Sequence, residues 1–252
     1  MVLMRTFEDL VAEAAAADVS GWDFGWLDGR ATEERPPWGY VRLLAQRLPR
    51  ATAALDIDTG GGEVLSEVPS FPARMCVTEG WAPNAERAEA LLGPRGVEVV
   101  RTPPDSGLPF PDGSFDLVVS RHPVRPDWPE IARVLTPGGH YFAQHVGPGS
   151  ALELTEYFLG ERPGPDGRDP HTEAAEAEAA GLHVEDLRVA RCRMEFFDIG
   201  AVVYILRKCV WWVPDFSVDR YTDTLRRMDA RIRAEGSFVA HSTRHLFDLR
   251  RA

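Results

Sequence analysis

The stretch Leu55-Asp56-Ile57-Asp58-Thr59-Gly60-Gly61-Gly62-Glu63 decides the fold that we predict for this chain. Residues 53–57 are mostly apolar, three consecutive glycines follow, and a segment compatible with a helix starts near Glu63. Glycine allows the backbone to turn with positive φ and leaves no Cβ in the way of an approaching ligand. The pattern predicts a strand, a tight turn and a helix, with a crevice at the carboxyl end of the strand.

The residues of the turn indicate which ligand the crevice takes. The dinucleotide fingerprint G-x-G-x-x-G is incomplete, because Gly60 and Gly62 supply its first pair but Leu65 stands where the third glycine belongs. Two acids, Asp56 and Asp58, precede the glycines. Their charges repel a pyrophosphate and attract an ammonium group. We interpret the crevice as a pocket for an adenosine-containing cofactor with a cationic group and no phosphate.

Strand and helix patterns alternate after this turn, which favours a parallel sheet with helices on both faces. We predict an α/β fold, a Rossmann-like three-layer sandwich with a seven-stranded, mostly parallel sheet. The predicted strands are 53–57, 74–78, 97–101, 115–120, 140–146, 183–190 with a possible extension to 195, and 238–250. The predicted helices in this part are 63–68, 84–92, 127–135, 150–159, 171–180, 198–208 and 217–235.

Residues 1–48 precede the sheet. Apolar residues at helical spacing predict helices at 7–18 and 40–48, with a loop or broken helix over 21–37. We expect these residues to form a helical N-terminal cap of the same domain, with 49–252 as the α/β domain. An ordinary helical extension packed on the core is the alternative.

Composition restricts the class of protein. The net charge of −11 opposes a nucleic-acid partner, because such proteins must neutralise phosphates. Three cysteines without a C-x-x-C pattern favour reduced thiols. No apolar run approaches the roughly 18 residues that span a bilayer, and the N-terminal residues lack a signal-peptide core. We expect a soluble cytoplasmic protein without a membrane partner.

Three motifs, in order, resemble those of class I S-adenosylmethionine-dependent methyltransferases of the small-molecule type. The first is D-x-x-x-G-x-G from Asp56, with Asp58 where that family usually has glycine. The second is LPFPDGSFDLVV at residues 108–119, and the third is IARVLTPGG at 131–139. Together they cover roughly residues 50–147. S-adenosylmethionine carries an amino group and a sulfonium but no phosphate, which agrees with the acids of the turn.

The resemblance implies cofactor contacts along the ends of the first, second and fourth predicted strands. Glu79, 19 residues after Gly60, is placed to accept both ribose hydroxyls, and its alternative is a solvated surface acid. Trp81 could stack on adenine or belong to the core, and Asp105 could bind the adenine amino group or be a plain loop acid. The full predicted cofactor set is Asp56, Asp58, Thr59, Gly60, Gly61, Gly62, Glu79, Gly80, Trp81, Asp105 and Ser120.

The acceptor side carries weaker signals. His122 and His145 are candidates for a general base or a substrate contact, because neutral imidazole accepts a proton near pH 7; hydrogen-bonded structural histidines are the alternative. Arg121 could orient an anionic substrate or form a salt bridge. Phe196 belongs to a segment that could wall the acceptor pocket or pack in the core. We predict no metal site.

The sequence thus predicts transfer of a methyl group from S-adenosylmethionine to a small molecule, with S-adenosylhomocysteine as the product. Three other functions stay open. They are an RNA or protein methyltransferase, a non-catalytic domain that binds the cofactor or its product, and, remotely, a nicotinamide-dependent reductase.

Overall fold

The computed structural model describes residues 5–21, 24–103, 106–161 and 168–252. The strands are β1 Ala31–Glu33, β2 Ala53–Ile57, β3 Arg74–Glu79, β4 Glu98–Arg101, β5 Phe115–Arg121, β6 Leu135–Val146, β7 Leu182–Phe196 and β8 Phe238–Arg251. The α-helices are α1 Phe7–Ala16, α2 Tyr40–Arg47, α3 Glu63–Ser66, α4 Ala82–Leu92, α5 Trp128–Val134, α6 Leu152–Leu159, α7 Pro170–Ala179, α8 Ile199–Lys208 and α9 Val218–Glu235.

The strands of the described residues form one mostly parallel sheet in the order β1-β7-β8-β6-β5-β2-β3-β4. Strands β2 to β6 are parallel to their neighbours, whereas β8 is antiparallel to β6 and β1 to β7. The predicted α/β class and the mostly parallel sheet are confirmed. The predicted number of seven strands is wrong by one, because β1 lies in the segment 21–37 where the sequence predicted a loop or a broken helix.

The chain divides into two compact units, and the first consists of residues 36–147, 167–190 and 244–252. Side chains of its sheet alternate between two apolar clusters. Leu55 of β2 and Tyr141 of β6 lie in one cluster, whereas Ala54 and Phe142 lie in the other. Helices α5 and α7 contribute to the first cluster, and α2 and α4 contribute to the second. Burial on both faces explains why these strands are nearly continuous apolar runs.

The second unit consists of residues 1–35, 148–166 and 191–243. Its core is built from α1, α6, α8 and α9 together with the ends of β7 and β8 that belong to it. Helix α8 is buried nearly all round, and the Asp198 side chain caps its first turn by accepting from the Ala201 N–H at 2.9 Å. The same carboxylate accepts two bonds from the Arg30 guanidinium at 2.8 and 2.9 Å. This bidentate pair fixes the start of α8 against the segment that precedes β1.

The helices predicted within residues 1–48 are present as α1 and α2. Helix α1 begins with a capping box, in which the Thr6 hydroxyl accepts from the Asp9 N–H and the Asp9 carboxylate accepts from the Thr6 N–H. That these residues act as a cap stays a prediction. Among the described residues, no helix is both long and apolar enough to cross a membrane. The three cysteines are buried, and none of them forms a disulfide.

Candidate active site

The glycine turn joins β2 to α3 as the sequence predicts. Gly60 and Gly62 have φ values of +65° and +83°. The space where a Cβ of Gly60 would lie is open to 4 Å, whereas a Cβ on Gly62 would lie 2.8 Å from Cδ1 of Leu92 in α4. The turn therefore has two sides, one packed on a helix and one with room for a ligand. Asp58 also has a left-handed conformation, with φ +58°, which Asp tolerates better than most residues.

Three carboxylates cluster at the ends of the neighbouring strands β2 and β3. Burial, together with the charges of Asp58 and Glu79, raises the pKa of Asp56 to about 7. Burial also raises the pKa of Asp58, again with a contribution from Glu79. Neighbouring negative charges thus make ionisation of Asp56 and Asp58 costlier. A bound cation would relieve that repulsion, so the cluster is suited to an ammonium or sulfonium group.

Glu79 and Trp81 lie where β3 passes into α4. The Glu79 side chain is buried, and its Oε1 accepts from the Trp81 backbone N–H at 2.8 Å, which uses one of its two oxygens. The Trp81 indole is 48% exposed, so its ring lies on the surface rather than in the core. Gly80 between them has no room for a Cβ, which would lie 2.9 Å from the Thr102 carbonyl oxygen. Asp105, the predicted adenine contact, lies outside the described residues.

The end of β5 lies beside the glycine turn. Ser120 pairs with Ile57 in the parallel register, and its hydroxyl donates to the Ile57 carbonyl at 2.8 Å. The Tyr40 hydroxyl donates to the Ser120 carbonyl at 2.9 Å. Arg121 is exposed at the strand end, and His122 follows with φ +61°. Left-handed residues thus follow both neighbouring strands, as Asp58 after β2 and His122 after β5. Such backbone strain concentrates at functional sites.

His122 belongs to a chain of polar contacts with two residues from other parts of the sequence. Its Nε2 lies 3.0 Å from Nε2 of Gln144, and the Trp38 indole N–H donates to Oε1 of Gln144 at 2.8 Å. Burial, together with the nearby positive charges of Arg121, Arg244 and Arg168, lowers the pKa of His122 to about 2. The ring is therefore neutral at physiological pH.

His145 points into the core on the other face of the sheet. Its side chain is 1% exposed, Nδ1 lies 2.8 Å from Oε2 of Glu173, and Nε2 lies 3.0 Å from the Tyr141 hydroxyl. Both ring nitrogens are therefore occupied, which supports the structural alternative. His245, opposite it on β8, is fully buried, and neither of its ring nitrogens has a hydrogen-bond partner among the described residues. Burial lowers the pKa of His245 to about 4.

Phe196, the remaining predicted substrate residue, lies in the second unit. Its side chain is 1% exposed and belongs to that unit's apolar core. Phe196 thus packs in the core, which was the alternative interpretation of this residue. Its role as a pocket wall stays a prediction.

One group of possible metal ligands occurs in the described part of the chain. Nδ1 of His140 lies 3.0 Å from Asp248 and 3.8 Å from Glu185. An arginine already neutralises each acid, since Arg47 contacts Asp248 at 2.6 Å and Arg250 contacts Glu185 at 2.9 Å. We interpret the group as an ion-pair network.

Trp38, Tyr40 and Gln144 are site residues that the sequence reasoning did not assign. Trp38 lies just before α2 and Tyr40 is its first residue, far along the chain from the strand ends that they contact. No local pattern connects an indole with an amide that follows it by 106 residues. Gln144 is buried like its neighbours in β6, so only its polarity at a core position could have marked it.

Comparison with known proteins agrees with this geometry. The family model described as "Methyltransferase domain" matches residues 55–143. A search of curated protein sequences finds no match.

Solved structures share the fold at low sequence identity. The YcgJ protein of Bacillus subtilis is 17% identical with a TM-score of 0.59, over 84% of this chain and 97% of that one. A proposed methyltransferase of Bacillus halodurans C-125 is 16% identical with a TM-score of 0.58, over 83% and 97%. Phosphoethanolamine N-methyltransferase 2 of Haemonchus contortus, solved with phosphomonomethylethanolamine and S-adenosylhomocysteine, is 17% identical with a TM-score of 0.53, over 99% of this chain and 61% of that one.

The matched segment contains the glycine turn, Glu79 and the end of β5, which are the parts of the site described above. Residues 55–143 therefore match the methyltransferase domain model, and the predicted resemblance to methyltransferases is confirmed over this segment, with the fold shared by the solved structures.

Proposed function

We propose that the protein binds S-adenosylmethionine at the ends of β2 and β3 and transfers its methyl group to a small molecule. The observation that carries this proposal is the pair of buried carboxylates Asp56 and Glu79, together with the exposed carboxylate of Asp58, beside the open side of the glycine turn. Three acids at this point disfavour a diphosphate and favour a cationic nucleoside.

Each part of the cofactor has a residue of suitable chemistry in this crevice. Asp56 and Asp58 would face its amino group, the Glu79 oxygen not used by Trp81 would accept from the ribose, and the exposed Trp81 ring would cover the adenine. Gly60 would allow close approach to the main chain. The bound cofactor supplies a methyl carbon whose bond to sulfur breaks, with the electron pair staying on sulfur, as the acceptor forms its new bond.

The protein residues contribute mainly by holding the two reactants in line and excluding water. No proton has to be removed unless the acceptor atom carries one. A transfer that needs no general base agrees with the surroundings of His145, because both of its ring nitrogens already have hydrogen-bond partners. The surplus of acids supports a small-molecule acceptor over a polynucleotide. The three buried cysteines, none of them in a disulfide, support a cytoplasmic protein.

Thermal unfolding in the presence of each cofactor, followed by a transfer assay, tests the proposal. We expect S-adenosylmethionine and S-adenosylhomocysteine to raise the melting temperature and NAD to leave it unchanged. Radioactive methyl should then pass from S-adenosylmethionine into the low-molecular-weight fraction of a cell extract. Transfer into RNA or protein instead would reject the small-molecule acceptor, and binding without any transfer would favour a non-catalytic domain.

A further inference from the structure

The polar contacts around His122 determine which of its ring nitrogens carries the proton. The Trp38 indole nitrogen only donates hydrogen bonds, so the Gln144 atom 2.8 Å from it must be the amide oxygen. The Gln144 amide nitrogen therefore faces His122, and it too only donates. Nε2 of His122 must accept this bond, and in a neutral ring the proton is then on Nδ1.

Protonation of the ring would oppose this arrangement. A second proton would place an N–H on Nε2 against the N–H of Gln144, so both contact atoms would be donors. Charged and titratable groups from several elements face the ring as well. They are Arg121 of β5, Arg244 of β8 and Arg168 before α7, while His145 of β6 adds its influence from the other face of the sheet. His122 is thus held neutral, with a fixed tautomer.

The Nδ1–H group remains to be assigned. Among the residues that the structure describes, none is hydrogen-bonded to Nδ1 of His122. The residue follows Ser120 and Arg121 at the carboxyl end of β5, one strand away from the glycine turn of β2. Its backbone N–H is fixed by a 2.7 Å bond to the Gln144 carbonyl. A donor of fixed direction therefore lies at the edge of the sheet that carries the proposed cofactor crevice.

We infer that His122 is a positioning residue that donates from Nδ1–H to a carboxylate or carbonyl oxygen of the methyl acceptor, and that it does not serve as the general base. The inference rests on the proposed function for the identity of the bound molecule. The guanidinium groups near His122 favour a carboxylate over a cationic group at this position. A nitrogen that carries a proton cannot accept another from the substrate.

Nuclear magnetic resonance of protein with ¹⁵N-labelled histidine tests the tautomer directly. The His122 signals are assigned by their loss in His122→Asn. We expect a neutral ring with the proton on Nδ1 at every pH from 5 to 8. A proton on Nε2, or titration of this ring near pH 6.5, would overturn the inference. The result does not depend on methyl transfer, so it stays distinguishable from a failure of the proposed function, which the cofactor melting shifts report.

Two variants of Gln144 test whether this side chain determines the His122 tautomer. Gln144→Glu places an acceptor beside Nε2, so the proton should move to Nε2 and the ring should titrate at a higher pH than in the wild type. Gln144→Met removes the donor and should give a mixture of tautomers. An unchanged Nδ1–H tautomer in both variants would show that Gln144 does not control the ring.

The substrate class is tested with small ions of opposite charge. Acetate added to the protein saturated with S-adenosylhomocysteine should shift the His122 Hδ1 resonance in a saturable way, and methylammonium should not. No shift with acetate, or a shift with methylammonium alone, would reject an oxygen acceptor at this position. Once an acceptor has been found, His122→Asn, which keeps an N–H near the Nδ1 position, should preserve turnover that His122→Phe loses.

Discussion

Glu79 is the residue whose role the structure describes most completely before any ligand is bound. One carboxylate oxygen accepts from the Trp81 N–H just before α4, and we propose that the other accepts from the ribose. Glu79→Gln keeps an oxygen for the Trp81 N–H but removes the charge. We predict that it weakens binding of S-adenosylmethionine by roughly 10- to 100-fold, since hydrogen bonds to charged groups contribute about 1.5–3 kcal/mol. Titration calorimetry measures the effect.

Glu79→Ala is the informative companion variant. It also loses the hydrogen bond from the Trp81 N–H, so its apo melting temperature should fall by a few degrees, while that of Glu79→Gln stays near the wild-type value. If both variants bind the cofactor normally, the assignment of Glu79 to the ribose is wrong.

Asp58 combines a left-handed backbone with a carboxylate in an acidic cluster. Asparagine tolerates the same backbone and carries no charge. We predict that Asp58→Asn raises the melting temperature at pH 8, because one repulsive charge is removed, and weakens S-adenosylmethionine binding by about tenfold, or roughly 1.4 kcal/mol. Glu63→Gln, which removes an exposed acid from the same turn, is the control and should change neither quantity appreciably. Tighter cofactor binding by Asp58→Asn would contradict the electrostatic role.

Single residues also show where prediction from sequence ends. Glu79 was identified from its distance to the glycine turn and its place after a strand, both of which are local. The contact of Trp38 with Gln144 joins residues that lie far apart in the chain, and the tautomer that we infer for His122 depends on it. Sequence made His122 and His145 equal candidates for a general base, but only the folded chain places them on opposite faces of the sheet.

At the scale of elements, the turn between β2 and α3 separates a packing function from a binding function. A Cβ on Gly62 would meet Leu92, whereas one on Gly60 would meet open space. We predict that Gly62→Ala destabilises the fold by about 2–4 kcal/mol, through backbone strain together with overpacking. Gly60→Ala should cost only about 1–2 kcal/mol, because strain acts alone.

Cofactor binding should respond in the opposite order. Gly60→Ala fills the open side of the turn and should weaken S-adenosylmethionine binding strongly, while folded Gly62→Ala should bind nearly as the wild type does. Denaturant unfolding and calorimetry give the two quantities. Equal stability losses together with equal affinities would show that the turn does not have two distinct sides.

Elements with strong apolar runs were predicted to within a few residues, as β2 at 53–57 illustrates. Such a run can be recognised in the sequence because a strand that is buried on both faces needs apolar residues at nearly every position. Strand β1 has three residues, and a strand so short shows no alternation. Its pairing with the end of β7 depends on residues more than 150 positions away.

For the whole molecule, buried titratable groups connect stability to pH. Burial lowers the pKa of His245 to about 4 from 6.5, so between these values the unfolded chain binds more protons than the folded one. His122 acts in the same direction, whereas Asp56, raised to about 7 from 3.8, acts in the opposite direction. The contribution of the two neutral histidines to stability is thus complete above pH 6.5 and is lost as the pH falls. The contribution of protonated Asp56 to stability is lost as the pH rises toward 7.

The variant His245→Leu isolates the contribution of His245 to the pH dependence of stability. Between pH 4.5 and 6 the slope of unfolding free energy against pH should fall by about 1.4 kcal/mol per pH unit, the value for one proton. The variant should also be no less stable than the wild type at pH 8, because the ring nitrogens have no partner among the described residues. His183→Gln, at an exposed histidine, is the control. An unchanged slope in His245→Leu would show that His245 does not contribute to the pH dependence of stability in this range.

The order of the strands in the sheet and the division into two units belong to this largest scale, and neither could be predicted from sequence patterns. Alternating patterns established the α/β class and the parallel strands, since each strand–helix unit is local. The division assigns residues 1–35 to one unit and 36–48 to the other, a boundary inside the stretch that the sequence treated as one N-terminal segment.

The measurement that tests the central claim most directly is titration of the purified protein with S-adenosylmethionine and, separately, with NAD in a calorimeter at pH 8. The acidic, glycine-lined end of β2 predicts one-to-one binding of S-adenosylmethionine, markedly weakened in Glu79→Gln, and no binding of NAD. Binding of NAD without binding of S-adenosylmethionine would contradict the account.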